Sequence, residues 1–350
     1  MPGDLLREAN MTRKETFRIG AIGAGSWGTT LANLLAEKGF LVDMWVREEE
    51  VYHQIKDERE NKVFLPGHKL SPRLNPVQTF EEALRHKDVV LMAAPSHVFR
   101  EVLTNLKPFL HPEMTIISAT KGIENETLKI MSQVAEELLP KGYIDLFSCI
   151  AGPSFAKEVI VKQPTAVTIA CRDMNHAKLM QALFSTEFFR VYICDDLTGV
   201  QLCGALKNVT AIAAGVSDGL GYGLNARAAL ITRGLAEITR LGMAMGADPM
   251  TFAGLSGIGD LVLTCTGDLS RNRTVGLKIG QGMGLDEITG GMSMVAEGVK
   301  TSIAAYELAK KIGVDMPIIN QVYEILYQGK DPSTAVRELM TRELKKETYK

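Results

Sequence analysis

The sequence predicts a two-part α/β protein: a doubly wound, mostly parallel sheet followed by an all-helical second half. Two observations carry this. Short apolar runs alternate with helical patterns up to about residue 195, as a sheet wound by crossover helices requires. From residue 198 strand patterns nearly vanish, and long helical periodicities take over.

The first strand is expected at residues 17–22, where Phe17-Arg18-Ile19-Gly20-Ala21-Ile22 leads directly into Gly23-Ala24-Gly25-Ser26-Trp27-Gly28. That turn reads G-x-G-x-x-G. An amphipathic helix at 27–38, ended by Gly39, and a second strand at 41–46 complete the context that the motif needs. Gly23 permits the tight turn, Gly25 lets backbone N–H groups approach a pyrophosphate, and Gly28 allows close helix–strand packing. The reading is a Rossmann-type dinucleotide site. Where NAD-selective folds place an acid for the ribose 2′-hydroxyl, this chain has Arg47, with Glu48 beside it. A guanidinium suits a 2′-phosphate, so NADPH/NADP is expected alongside NADH/NAD, with Glu48 still available to a 2′-hydroxyl.

Further strands are expected at 89–94, 115–119, 146–151, 166–171 and 190–194, with helices at 80–85, 98–106, 126–139 and 174–184 between them. The second half divides into helices at 200–216, 226–245, 273–281, 293–312 and 318–327, punctuated by Gly, Asp and Pro. The expected organisation is a polar tail at 1–16, a dinucleotide-binding domain at 17–197 and a helical domain at 198–350.

Composition limits the function classes. A net charge of −2 over 350 residues argues against a nucleic-acid or membrane-surface partner. Five scattered cysteines without C-x-x-C spacing read as reduced thiols, neither a disulfide framework nor a zinc site, and fit a cytoplasmic enzyme. No metal is suggested by ligand spacing.

The most pointed chemical feature lies in the first helix of the second half. Between Asp196 and Asp218 the sole charged residue is Lys207. Leu202, Leu206, Val209, Ala213 and Val216 share a bulky helical face, whereas Lys207 lines up with Cys203, Thr210, Ala211 and Ala214. A lysine desolvated among small residues loses part of its preference for the ammonium form and becomes a usable acid/base near neutrality. The competing reading is a lysine extending from a core helix to solvent.

Three clusters are expected to meet it in the cleft at the strand carboxyl ends. Lys121 follows the 115–119 strand in Ala119-Thr120-Lys121-Gly122. Gly152-Pro153-Ser154-Phe155-Ala156 follows the strand ending at Ala151, with Ser154 either a donor to substrate or a helix cap. The third runs from Leu255 through Asp260 to Thr266 and then Ser270-Arg271-Asn272-Arg273, where arginine forks with Asn and Ser donors suit a dianion. Asp260 is positioned in the sequence to hold the Lys207 ammonium.

These segments make the chain resemble the bacterial-type NAD(P)-dependent glycerol-3-phosphate dehydrogenases from about Phe17 nearly to the C-terminus. The carrying runs are GAGSWGT (23–29), SATKG (118–122), AGPSFAKE (151–158), GVQLCGALKNV (199–209), GLNARAALITRGLAE (223–237), GDLVLTC (259–265) and SRNR (270–273). The resemblance implies a helical domain like that of 6-phosphogluconate dehydrogenase and reduction of dihydroxyacetone phosphate to sn-glycerol 3-phosphate, the backbone of glycerophospholipids. It implies Lys207 as general acid/base, Lys121 touching both substrate and nicotinamide, and Gly152, Ser154, Asp260, Ser270, Arg271 and Asn272 around the substrate. Ser26, Trp27, Arg47, Ala156, Arg271, Val295 and Glu297 match cofactor positions. The last two stand in Val295-Ala296-Glu297-Gly298, where the family often reads Val-Val-Glu-Gly. A cytoplasmic homodimer without membrane insertion is the implied assembly. Two rivals remain at this point: a related Rossmann hydroxy-acid dehydrogenase, and a non-catalytic dinucleotide sensor.

Overall fold

The computed structural model describes residues 17–291, 296–344 and 346–347. The expected tail at 1–16, the start of the helix expected at 293 and the cofactor position Val295 lie outside the described residues.

The apolar runs assemble into one eight-stranded sheet. Its strands are β1 (Arg18–Ile22), β2 (Leu41–Trp45), β5 (Leu74–Val77), β6 (Val89–Met92), β7 (Thr115–Ser118), β8 (Ser148–Ala151), β9 (Thr165–Cys171) and β10 (Phe189–Cys194). The order is β10-β9-β8-β7-β6-β1-β2-β5. Every neighbouring pair is parallel except β8 and β9, which pair antiparallel, Cys149 opposite Ala170. β1 sits where the order reverses, with Ile22 beside Trp45 of β2 on one side and Met92 of β6 on the other. That reversal opens the crevice in which a doubly wound sheet takes its ligand.

Three strands depart from the sequence reading. β5 was hidden because Pro76 interrupts its pattern, yet a proline is tolerated on the edge strand that β5 is. β3 (Glu60–Asn61) and β4 (Leu65–Lys69) form a separate hairpin whose Pro66-Gly67 reads as a turn. The helix expected at 126–139 begins later, at Met131–Leu138 (α5). Residues ahead of it form a turn instead: Leu128 is left-handed (φ 62°), and Ile123 bridges Ile130.

Helices cover both faces of the sheet. They include α1 (Ser26–Glu37), α2 (Glu49–Glu58), α3 (Phe80–Leu84), α4 (Phe99–Leu106), α6 (Tyr143–Leu146), α7 (Ala156–Ile160) and α8 (Met174–Phe184). The second half is helical as expected, around the central α9 (Leu197–Gly219). Packed about it are α10 (Leu224–Ala244), α11 (Pro249–Phe252), α12 (Asp260–Thr266), α13 (Arg271–Gly280), α15 (Glu297–Ile312) and α16 (Pro317–Tyr327). The short α14 (Leu285–Gly290) and α17 (Pro332–Met340) complete it. Asp196 caps α9 through Gly199 N–H and also accepts from Asp248 N–H and the Thr251 hydroxyl, tying α9 to the start of α11.

α9 is buried nearly all round, so the bulky and small faces read from its sequence are both enclosed. Among the described helices it alone is long and apolar enough to cross a membrane, but 94% of its most apolar window lies inside the protein. It is a core helix. Its glycines let α13 approach to backbone contact. A Cβ on Gly215 would strike the Arg273 carbonyl, and one on Gly276 would strike the Ile212 carbonyl. Gly219 and Gly280 repeat the arrangement one turn on. Four glycines at four-residue spacing thus bring the helix bearing Lys207 against the helix that begins at Arg271.

A side chain at Gly276 must push two backbones apart, because its obstacle is a carbonyl oxygen rather than a flexible side chain. Gly276→Val is expected to lower unfolding free energy by about 2–4 kcal/mol in urea titration. Gly284→Ala, where a Cβ meets nothing within 4 Å, is expected to stay within about 0.5 kcal/mol of wild type. Equal effects would refute the close-packing account.

Candidate active site

Lys207 sits mid-way along α9 with 6% of its surface exposed. Its ammonium donates to Asp260 Oδ1 at 2.6 Å and to Thr264 Oγ1 at 2.8 Å. Asp260, 1% exposed, opens α12, and Thr264 lies one turn further along the same helix, its hydroxyl donating to the Asp260 carbonyl at 2.6 Å. The abrupt start of α12 depends on the preceding turn, Leu255–Gly259, where a Cβ on Gly257 would collide with Phe252 O. The other carboxylate oxygen, Asp260 Oδ2, accepts from Lys121 Nζ at 2.9 Å. Lys121 arrives from the loop after β7, its aliphatic stem lying over Gly204 of α9 at 3.4 Å from where a Cβ would stand. One buried carboxylate therefore grips two ammonium groups.

The electrostatics follow from that count. Burial lowers the Lys207 pKa from its ordinary 10.5 to about 8, with Asp260 opposing the shift and Lys121 adding to it. Burial acting alone would raise Asp260, but the two lysines outweigh it and hold the carboxyl below its ordinary value. With both lysines charged the cluster carries net +1. An ammonium has three N–H bonds; described residues take two from Lys207, and no third acceptor is found among them.

The remaining clusters reach the sequence neighbours of this core. Asn208, next to Lys207, lies against Gly298, whose N–H donates to Asn272 Oδ1 at 2.9 Å. That bond fixes the amide orientation, so the Asn272 NH₂ is directed away from Gly298 as a donor. Ser270 caps α13, its Oγ accepting from Arg273 N–H at 3.2 Å, while its own proton remains available to donate. Pro153 packs beside Gly259, 3.7 Å from where a Cβ would stand, which brings the Gly152–Ser154 loop to Asp260. Gly152 is itself constrained, with φ 146° and Val167 immediately behind it. Ser154 Oγ donates to Gly152 O at 2.9 Å, and the N-cap of α7 is Phe155, so the capping reading of Ser154 is corrected. Arg273 is also diverted from the anion role that its sequence suggested. It pairs with Asp218 at 2.8 Å, which Arg227 shares at 2.7 Å.

The glycine-rich turn has the features of a dinucleotide cradle. Gly23 adopts φ 109° against the Ala93 carbonyl, and a Cβ on Gly28 would strike Gly23 O. Gly25 faces open space, and no side chain caps the first turn of α1. The indole N–H of Trp27 is buried with no partner among the described residues. An uncapped helix start, an open glycine and an orphaned donor together fit a pyrophosphate-bearing cofactor. Ala156 opens α7 alongside, its carbonyl 3.5 Å from Thr30 Oγ1. Arg47 is exposed just beyond β2 and pairs with Glu48 at 2.7 Å. Glu297, at the start of α15, accepts from Ser96 Oγ at 2.9 Å, and Ser96 follows β6, so this bond joins the sheet to the helical half across the crevice. Burial raises the Glu297 pKa, with Ser96 and Arg271 opposing.

Comparison with known proteins decides the family. The family profile described as NAD-dependent glycerol-3-phosphate dehydrogenase N-terminus matches residues 18–177, and its C-terminal counterpart matches 196–337. The chain belongs to the NAD-dependent glycerol-3-phosphate dehydrogenase family. Glycerol-3-phosphate dehydrogenase (NAD(P)+) of Citrifermentans bemidjiense is 58% identical over 330 residues, 94% of this chain and 98% of that one. The namesake from Geobacter sulfurreducens is 56% identical, covering 95% and 99%. The crystal structure of glycerol-3-phosphate dehydrogenase from Coxiella burnetii superposes with TM-score 0.89 at 40% identity, covering 93% of this chain and 99% of that one. Membership makes this chain an NAD(P)-dependent oxidoreductase.

Sequence reasoning anticipated the Lys207–Asp260 pair but missed two contributors, Thr264 and Ser96, and one contact of the anticipated Lys121. Thr264 carried a signal, lying four residues after Asp260 on one helix face. That Lys121 shares the same carboxylate, and that Ser96 reaches Glu297, had no local signal. Asp260→Asn removes the charge that opposes desolvation of Lys207, so the Lys207 pKa is expected to fall further. The alkaline limb of the kcat/KM profile for ketone reduction should then move to lower pH by roughly one to two units. An unmoved limb, with activity retained, would remove Asp260 from the tuning of Lys207.

Proposed function

We propose that this chain reduces dihydroxyacetone phosphate to sn-glycerol 3-phosphate, with Lys207 as general acid. The carrying observation is the Lys207 ammonium, buried between Asp260 and Thr264, with no third acceptor among the described residues. Bound NAD(P)H supplies the hydride that adds to C2 of the ketone. Lys207 donates its third N–H to the carbonyl oxygen, stabilises the negative charge growing there, and passes over the proton that completes the alcohol. In the reverse direction the neutral amine takes that proton back. Lys121 adds a second positive charge and orients the carbonyl. Arg271, Asn272 and Ser270 hold the phosphate, while Gly152 and Ser154 close the other side of the substrate. Phosphate binding energy is thereby available for aligning C2 rather than being confined to affinity.

On the cofactor side, the N–H groups of Ser26 and Trp27 on the Gly23–Gly28 turn would hold the pyrophosphate. Arg47 would take a 2′-phosphate, and Ala156, Arg271, Val295 and Glu297 would line the remainder. Both NADPH and NADH are accepted. We divide the chain into a dinucleotide domain at 17–197 and a helical domain at 198–350. It acts as a cytoplasmic homodimer that supplies the glycerophospholipid backbone.

The test is oxidation of NADPH and NADH with dihydroxyacetone phosphate, for wild type beside Lys207→Ala. Turnover by wild type and a loss of roughly two to four orders of magnitude in kcat, with cofactor still bound, is expected. Activity surviving Lys207→Ala would keep the reaction and reject the acid. A wild-type protein that binds cofactor without turnover would favour the sensor reading. The pH dependence has a definite sign. Reduction needs the ammonium, so its kcat/KM should fall as pH rises through about 8, while glycerol 3-phosphate oxidation should rise through the same point. Arg47→Ala should raise KM for NADPH by about tenfold and leave KM for NADH within about twofold. An equal rise for both cofactors would place Arg47 away from the 2′-position.

A further inference from the structure

We propose that Asn61, outside the glycine-rich motif, is a positioning residue that keeps the pyrophosphate cradle a donor-only surface. This rests on the cofactor reading above. Asn61 ends β3 in the small hairpin, is fully buried, and has every polar atom of its amide engaged. Its Nδ2 donates to the Ala24 carbonyl at 2.8 Å and to Thr29 Oγ1 at 2.9 Å, while its Oδ1 accepts from Phe64 N–H at 3.0 Å. Thr29, also fully buried, donates its own hydroxyl proton to the same Ala24 carbonyl at 3.1 Å.

Ala24 lies between the first two glycines of the turn. Its carbonyl is an acceptor next to the open Gly25, in a segment whose task is to present N–H groups to an anion. Two buried donors hold that oxygen inward. In a trans peptide the C=O and the following N–H point in opposite directions, so this fixes the Gly25 N–H on the outer side. There a Cβ on Gly25 would meet nothing within 4 Å, and the first turn of α1 carries no side-chain cap. Gly25 lacks the side chain that would otherwise restrict rotation of this peptide, so that freedom has to be removed from elsewhere. Asn61 removes it. Were the peptide to rotate, a carbonyl dipole would face the pyrophosphate and repel it.

The test compares wild type with Asn61→Ala by ADP titration calorimetry, NADH binding followed by tryptophan fluorescence, and steady-state kinetics. The ADP and NADH dissociation constants are expected to rise about tenfold, together with KM for NADH. At saturating NADH, kcat and KM for dihydroxyacetone phosphate should stay within about twofold. Thr29→Val removes the second donor to the Ala24 carbonyl, and with it the acceptor of one Asn61 N–H, while leaving the Asn61–Ala24 bond and the hairpin's own residues in place. It should weaken ADP about threefold and carries the test if Asn61→Ala does not fold. Unchanged ADP binding in the variant that folds, or a fall in kcat with KM for NADH unmoved, overturns the proposal and leaves Asn61 a structural residue. A wild-type protein that binds neither ADP nor NADH overturns the cofactor reading instead.

Discussion

The Asp260 carboxylate is the constraint on which the rest of the site depends. A single ammonium buried in α9 would shed its proton, and a second one beside it would hasten that loss. Asp260 gives both ammonium groups one counter-charge, with Lys207 and Asp260 almost fully enclosed and Lys121 part-exposed. The arrangement is costly to assemble, because three charges must leave water together. It persists because each oxygen of the carboxylate has a partner and the backbone around it is over-determined. The Gly257 turn starts α12 at the required residue, Gly204 gives Lys121 a track across α9, and Thr264 occupies the second Lys207 N–H.

Close helix contact serves the same end. Ordinary side chains between α9 and α13 would hold those helices a full side-chain layer apart. Glycines at the four contact points remove the layer, so Asn208 and Asn272 reach the same short segment at Gly298. The residues of the candidate site thus sit on backbones that touch, and their spacing is fixed by carbonyls rather than by rotamers. Arg273 contributes from behind, paired with Asp218 so that it stitches α13 to the end of α9.

Much of this was legible in the sequence because it is encoded locally. The Gly23–Gly28 turn stands between a strand and a helix, and the lone lysine of an apolar Gly/Ala-rich helix gains its meaning from Asp260 further along the chain. What escaped was non-local or cancelled its own signal. Pro76 disguised an edge strand, Pro66-Gly67 a hairpin, and left-handed Leu128 cut short a helix whose periodicity looked continuous. Ser270-Arg271-Asn272-Arg273 reads as one basic patch, yet successive side chains on a helix point some 100° apart. Arg271 and Arg273 consequently serve different partners. Asn61 is an ordinary loop asparagine by composition, and its contacts lie 32 and 37 residues away in sequence.

The ownership of the charged triad also bears on how such a protein can change over evolutionary time. Lys207 and Asp260 belong to the helical half, but the ammonium on the far oxygen of Asp260 comes from the sheet half. The two halves are therefore not interchangeable modules. A dinucleotide-binding domain transplanted from another enzyme would need to deliver a cation at the position of Lys121, or leave the carboxylate half-compensated and alter the basicity of Lys207. Lineages that exchange or redesign either half are thus held to paired change across the crevice, even though each half has its own hydrophobic core.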